Sequence, residues 1–241
     1  MAFEEPYLER EYRGLIVPKG LTCYRVAAGE SDLFVCTSGN LADEAKMHLE
    51  DGRAELEKYM ESHLQFGMSF RPMPVEGSAP DIVKDMAEAA EIFNVGPMAS
   101  VAGAIAQYVG RGLLAHSGQV IVENGGDIFL AGGKKRRAKI FAGDEAPPVE
   151  ILFEDTSEGV GLCTSSATVG PSVSLGIADA VTVLANTATL ADAAATSLGN
   201  MIKSSDDIAG ALELAMEYVE VSGAVVVAGG AMGAWGQLEL A

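Results

Sequence analysis

Val120-Ile121-Val122-Glu123-Asn124-Gly125-Gly126-Asp127-Ile128-Phe129-Leu130-Ala131 is the stretch that decides how this chain folds. Two apolar, β-prone runs flank a short polar core that holds paired glycines. Glycine reaches positive φ without a Cβ penalty, so the pattern predicts strands over 120–123 and 127–131 joined by a tight turn. Upstream, helical patterns cover 81–93 and 98–114, with Gly96-Pro97 as punctuation between them. Downstream, strand patterns recur at 137–141, 149–153, 160–164 and 180–184. Helices follow over about 190–203 and 206–218, with closing strands at 224–228 and 237–240. Nearer the amino terminus lie strands at 15–17, 22–27 and 32–37. A charged helical pattern at 41–63 carries Leu49, Leu56 and Met60 at helical spacing, with Gly52 as a weak point, and reads as one surface helix or a pair. The Pro- and Gly-rich 66–80 is a connecting loop, either a lid or a plain crossover. Meandering strands with helices between them indicate an α+β fold of antiparallel sheets and packed helices. No linker cuts the chain, so residues 1–241 read as a single domain.

Composition narrows the function classes. The 241 residues are 49% apolar and 21% charged, which excludes disorder and leaves ample material for a core. A formal net charge of −18 repels a phosphate backbone, so nucleic acid is not an expected partner. A small anion fits only where a cation or a helix N-terminus reverses the local field. The three cysteines, Cys23, Cys36 and Cys163, look too few and too scattered for a disulfide framework, and a reducing compartment fits them. Residues 1–13 carry Glu4, Glu5, Glu9 and Glu11 and lack the basic and apolar regions of a signal peptide, which predicts a cytoplasmic protein. The apolar stretch 176–202 is interrupted by Asp179 and Asp192, so no membrane span is expected.

Four motifs bear on chemistry. Around Gly125 and Gly126, Asn124 and Asp127 offer polar side chains beside bare backbone, which suits either an ordinary turn or a ligand approached closely by the main chain. Cys163-Thr164-Ser165-Ser166 ends a strand in hydroxyls that suit phosphate or flavin polar atoms, or a simple capped loop; Cys163 reads as a small buried hydrophobe. In Thr189-Leu190-Ala191-Asp192-Ala193-Ala194-Ala195-Thr196, Asp192 and Thr196 share a helix face at four-residue spacing. They suit a hard cation, while Thr189 with Asp192 also fits a capping box. Lys134-Lys135-Arg136-Arg137 follows Gly132-Gly133 and reads as a solvated hairpin flank that protects an edge strand. His48, His63 and His116 have no metal-ligand spacing, and no Walker loop, GxGxxG or Ser-His-Asp order is found. An echo between 122–133 and 219–230, each beginning Val-Glu and ending Ala-Gly-Gly, raises a duplicated half.

Taken in order, Gly96-Pro97-Met98-Ala99, then 123–127, then Cys163-Thr164-Ser165-Ser166, then 189–196, the motifs resemble those of the ApbE superfamily. These are the FAD:protein FMN transferases once called thiamine-biosynthesis lipoproteins, and the likeness is to an uncharacterised prokaryotic branch. It spans about 96–202, and Glu30-Ser31-Asp32-Leu33 is similar to the branch alone. The resemblance implies an ApbE-like α+β fold of the tunnelling-fold type. It implies a site for FAD or a related nucleotide at Asn124, Gly125, Gly126, Asp127, Thr164, Ser165 and Ser166. It also implies Mg²⁺ held by Asp192, Thr196 and a backbone carbonyl near Val101. The transferases move FMN from FAD onto a Thr of a target protein, and the metal would stabilise charge on the bridging phosphates. Two departures stand out. Ala102-Gly103 replaces a Lys-Gly pair, and Val169-Gly170-Pro171-Ser172 holds no His where the transferases have one. The resemblance therefore implies a Mg²⁺-dependent flavin- or nucleotide-binding protein, acting as a transferase or phosphate-cleaving enzyme. The alternative is a non-catalytic binder that has lost the chemistry. Its partner is a small-molecule nucleotide or flavin, and self-association into a homo-oligomer stays open.

Overall fold

The computed structural model describes residues 18–132, 136–140, 149–153, 156–157, 159–166 and 176–236, with the backbone alone at 136–140 and 149–153. Its centre is an eight-stranded antiparallel sheet in the order β1-β2-β3-β4-β7-β8-β9-β10. The strands are β1 (Thr22–Ala28), β2 (Ser31–Thr37), β3 (Val120–Asn124), β4 (Asp127–Ala131), β7 (Val160–Ser165), β8 (Ala180–Ala185), β9 (Val221–Ala228) and β10 (Ala231–Gly236). A separate antiparallel pair, β5 (Arg136–Ile140) and β6 (Val149–Phe153), interrupts the meander between β4 and β7. Arg136 and Arg137 therefore belong to a hairpin strand, while Lys134 and Lys135 lie outside the described residues.

The helices are α1 (Ala42–Ser62), α2 (Leu64–Met68), α3 (Asp81–Phe93), α4 (Val101–Leu113), α5 (Ala188–Met201) and α6 (Ile208–Glu217). Residues 41–63 form one helix, and Gly52 is no break in it. A Cβ at Gly52 would stand 2.8 Å from the Tyr108 ring, so glycine is what lets α1 lie close to α4. The 98–114 pattern divides into a 3-10 turn, Pro97–Ser100, and α4. The loop at 66–80 is shortened by α2, and its later part is pinned to α1 where Tyr59 donates to Glu76 at 3.1 Å.

Two expectations need correction, and one strand escaped the sequence pattern. The cysteines are not too scattered to pair. The β1–β2 register sets Cys23 opposite Cys36 and the two are disulfide-bonded, because a hairpin closes their 13-residue separation. The echo is no duplication, since 122–131 spans a strand, a turn and a second strand, whereas Ser222 and Gly223 lie inside the single strand β9. The last described strand is β10, turned back from β9 by Gly229 and Gly230 at φ 58° and 78°. Its glycines hid it from pattern reading, and Gly233 is required because Ile208 and Leu212 of α6 pack where a Cβ would stand. The expected strands at 15–17 and 237–240 lie outside the described residues. No single helix among the described residues is long and apolar enough to cross a membrane.

Helices α4 and α5 cover the sheet over β3, β4, β7 and β8, and they touch each other. The contact depends on small residues. Ala188, Ala191 and Ala195 of α5 are fully buried, and a Cβ on Gly103 of α4 would overlap the Ala188 carbonyl oxygen. Gly103→Ala is accordingly expected to destabilise the protein by about 1–3 kcal/mol through overpacking. Gly210→Ala in α6, where nothing lies within 4 Å of the new methyl, should stabilise it by roughly 0.5–1 kcal/mol. Urea unfolding of the two variants beside the wild type checks both signs.

Candidate functional site

The amino terminus of α4 is where the predicted residues meet. Ser100, its N-cap, makes no capping bond and turns its hydroxyl to the Pro97 carbonyl at 3.0 Å. The first-turn N–H groups of a helix need acceptors from elsewhere. Asp192 of α5 supplies one: its Oδ2 accepts from Gly103 N–H at 2.9 Å, and the Ala102 N–H also bonds to this carboxylate. A negative charge at this end of the helix is favoured by the dipole as well.

This arrangement replaces the capping box considered for α5 itself. Its N-cap is Thr187, not Thr189, and the Thr187 hydroxyl accepts from Leu190 N–H at 3.2 Å. Asp192 falls beyond that first turn, so it caps a neighbouring helix and not its own. One turn further along the same face, Thr196 Oγ1 lies 3.4 Å from the Ala99 carbonyl oxygen. Val101 opens α4, so its carbonyl points down the helix, whereas Ala99 precedes the helix and faces Thr196.

The β3–β4 turn approaches from the sheet. Asn124 pairs with Asp127 across it, and Gly125 and Gly126 take φ values of 71° and 111°. Asn124 Nδ2 donates to the Ala102 carbonyl at 3.1 Å, reaching the same turn of α4 that Asp192 caps. The Gly126 N–H is engaged by Glu123 Oε1 at 2.9 Å. A Cβ on Gly126 would meet nothing nearer than the Thr164 carbonyl at 3.9 Å, so positive φ, not crowding, is what demands glycine here.

The hydroxyl run does not act as a unit. Strand side chains alternate between faces, so Thr164 and Ser165 leave β7 in opposite directions. Thr164 Oγ1 bonds to Thr182 Oγ1 at 2.8 Å, while Ser165 lies near Gly199 of α5. Ser166 donates to the Asp179 carbonyl at 2.7 Å. Cys163 is fully buried beneath the site and donates to the Ala188 carbonyl at 3.3 Å. Burial, and then the nearby Asp127 and Asp192 charges, push its thiol well above the usual range, which keeps it protonated and unreactive at neutral pH.

Sequence reading missed Gln107. This side chain, 2% exposed, accepts from Thr189 N–H at 3.3 Å and donates to Asp85 at 2.9 Å, joining α3, α4 and the start of α5. A lone glutamine on the otherwise apolar face of α4 was its only signal.

Asp127 is buried and Asp192 is half-buried. Burial first, and the Asp127 charge second, push the Asp192 carboxyl well above its ordinary value, against the pull of the Gly103 and Ala102 N–H groups. Such an arrangement is stabilised by protonation of one carboxylate or by a cation. A raised folded-state pKa means that the folded chain holds the proton more tightly than the unfolded one, so stability falls as pH rises from the ordinary Asp range toward the raised value. In chelator, wild-type stability should therefore decline as pH rises above the ordinary Asp range. Asp192→Asn keeps an acceptor for the α4 N–H groups and should show a flatter profile. Urea midpoints across that pH range test the difference.

A family model described as AbpE bacteria matches residues 16–222. The UPF0280 protein MJ1526 of Methanocaldococcus jannaschii is 45% identical over 193 residues, which is 77% of this chain and 78% of that protein. The UPF0280 protein Mbar_A3697 of Methanosarcina barkeri is 36% identical over 204 residues, covering 83% and 81%. Among solved structures, the flavin transferase ApbE from Vibrio cholerae superposes with a TM-score of 0.62 at 12% identity, over 91% of this chain and 98% of that one. The apo flavinyl transferase ApbE of Pseudomonas stutzeri gives 0.58 at 14% identity, over 90% and 94%. At these identities the structural likeness establishes a shared fold.

Proposed function

The chain belongs to the AbpE bacteria family, and from that premise we propose that it is a Mg²⁺-dependent protein that binds FAD or a related nucleotide and acts on its phosphates. The observation that carries this reading is the Asp192 carboxylate, half-buried at the amino terminus of α4, with the buried Asp127 charge acting on it. The donor set suits Mg²⁺. It consists of hard oxygens, and the separation of Thr196 Oγ1 from the Ala99 carbonyl is long for a hydroxyl hydrogen bond. Asp192 and Thr196, with carbonyl oxygen from residues 99–101, would hold the ion. When bound, it would neutralise charge on a bridging phosphate.

The remaining residues bind and orient. The Gly125–Gly126 turn leaves open space beside the site, and Ser165 and Ser166 end β7 nearby. A metal also answers the electrostatic demand of a chain with net charge −18, since an anionic nucleotide needs a local reversal of field. The second reading, a binder without catalysis, is favoured by Ala102. A methyl group stands where the resembling transferases carry a lysine, in the very turn that Asp192 and Asn124 hold.

Thermal melts with FAD and millimolar Mg²⁺ test the site. At ligand concentrations near one hundred times Kd, linkage gives about 2.7 kcal/mol, which is a rise in Tm of roughly 5–10 °C for a chain of this size. Asp192→Asn should abolish the Mg²⁺-dependent part of the rise while the apo protein stays folded. A wild-type Tm that ignores both additions sinks the proposal. Chromatography of the nucleotides afterwards tests phosphate cleavage, because an enzyme that hydrolyses the FAD pyrophosphate with water releases FMN and AMP, and a binder returns FAD intact; a transferase is tested by adding an acceptor protein to the same mixture.

A further inference from the structure

The first turn of α4 is gripped from two directions. Asp192 of α5 takes the N–H groups of Ala102 and Gly103, and Asn124 of β3 donates to the carbonyl of Ala102. Asn124 is itself buried at the first corner of the β3–β4 turn, and the backbone there is fixed by two consecutive glycines at positive φ. Its register partner across that turn is Asp127. The one side-chain amide thus ties the turn that carries Asp127 to the helix end that Asp192 caps.

A donor directed at a protein carbonyl is not directed at a ligand. The sequence pattern placed Asn124 among residues that touch the nucleotide, but its Nδ2 faces the main chain of α4. The bond acts on the peptide that follows Val101, and it fixes how the 99–103 segment lies relative to the two carboxylates. Groups that orient first ligands without touching the metal commonly govern metal affinity.

We propose that Asn124 is a positioning residue for a divalent cation: through the Ala102 carbonyl it sets the Asp127 turn and the α4 terminus in the arrangement that binds the ion, and it contacts neither ion nor flavin. This inference rests on the metal reading given above.

Mn²⁺ serves as the probe, titrated by electron paramagnetic resonance into metal-free protein without nucleotide. Asn124→Ala should weaken Mn²⁺ binding by about 10–100-fold, the effect usual for outer-shell partners. The bound-Mn²⁺ spectrum should also broaden, a change that general loosening of the fold does not produce at unchanged apo Tm. FAD affinity at saturating Mn²⁺ should stay within about twofold of wild type. If Asn124→Ala does not fold, Asn124→Ser, with a shorter donor, is measured by the same criteria. Unchanged Mn²⁺ affinity in the folded variant overturns the inference, as does a loss of FAD affinity at saturating Mn²⁺, which would mean direct contact with the nucleotide. A wild type that binds no Mn²⁺ overturns the metal reading itself and the inference with it, so the two failures are distinguishable.

Discussion

The carboxylate of Asp192 closes the amino terminus of α4, a helix whose own N-cap, Ser100, turns its hydroxyl back to Pro97. That contact requires α4 and α5 to lie almost backbone to backbone, and the sequence meets the requirement with Gly103 on one side and a run of alanines on the other. A larger residue at either surface would part the helices and leave the first-turn N–H groups of α4 without the Asp192 carboxyl as acceptor. The small-residue composition of 188–195 is therefore as necessary to the site as the carboxylate.

The sheet contributes through its turns and its alternation. Two glycines reverse the chain between β3 and β4, so Asn124 and Asp127 arrive opposite each other at one end of the sheet, beneath α4. Alternation then divides a motif that looks continuous in the sequence. Thr164 is committed to Thr182 on one face, and Ser165 stands toward α5 on the other. The Glu123 carboxylate holds the Gly126 N–H, so the turn is braced by its own strand. Much of the polar chemistry around the site builds the site, and a smaller set of oxygens is left to meet a ligand.

Two carboxylates, buried Asp127 and half-buried Asp192, give the region its electrostatic character. In a chain of net charge −18 they deepen a negative field, and a nucleotide phosphate enters such a field only with a counter-charge. Family membership and the fold shared with the flavin transferases put this chain among proteins of related architecture. Ala102 lies in the turn that β3 and α5 both hold. The position is held as firmly as any in the site, by Asn124 on its carbonyl and Asp192 on its N–H, yet its side chain is a methyl group.

Local patterning was enough for most of the elements. Helix α3 and strands β4 and β6 lie where period and punctuation put them, because amphipathic spacing and glycine turns are properties of neighbouring residues. Strand β10 was not legible, since Gly233 answers to α6 packing above it and Gly236 to the β9 backbone beside it, and the Cys23–Cys36 pairing depended on hairpin register. In the site, the sequence identified Asn124, Asp127, Asp192 and Thr196 as polar residues at meaningful spacing. It could not say that Asp192 caps α4 instead of its own helix, that Asn124 faces main chain, or that Gln107 links three elements. Spacing along the chain determines which side chains share a face. Which helix end or carbonyl that face meets is decided only when residues nearly ninety positions apart are packed together, as Gly103 and Asp192 are, 89 residues apart in sequence and 2.9 Å apart in space.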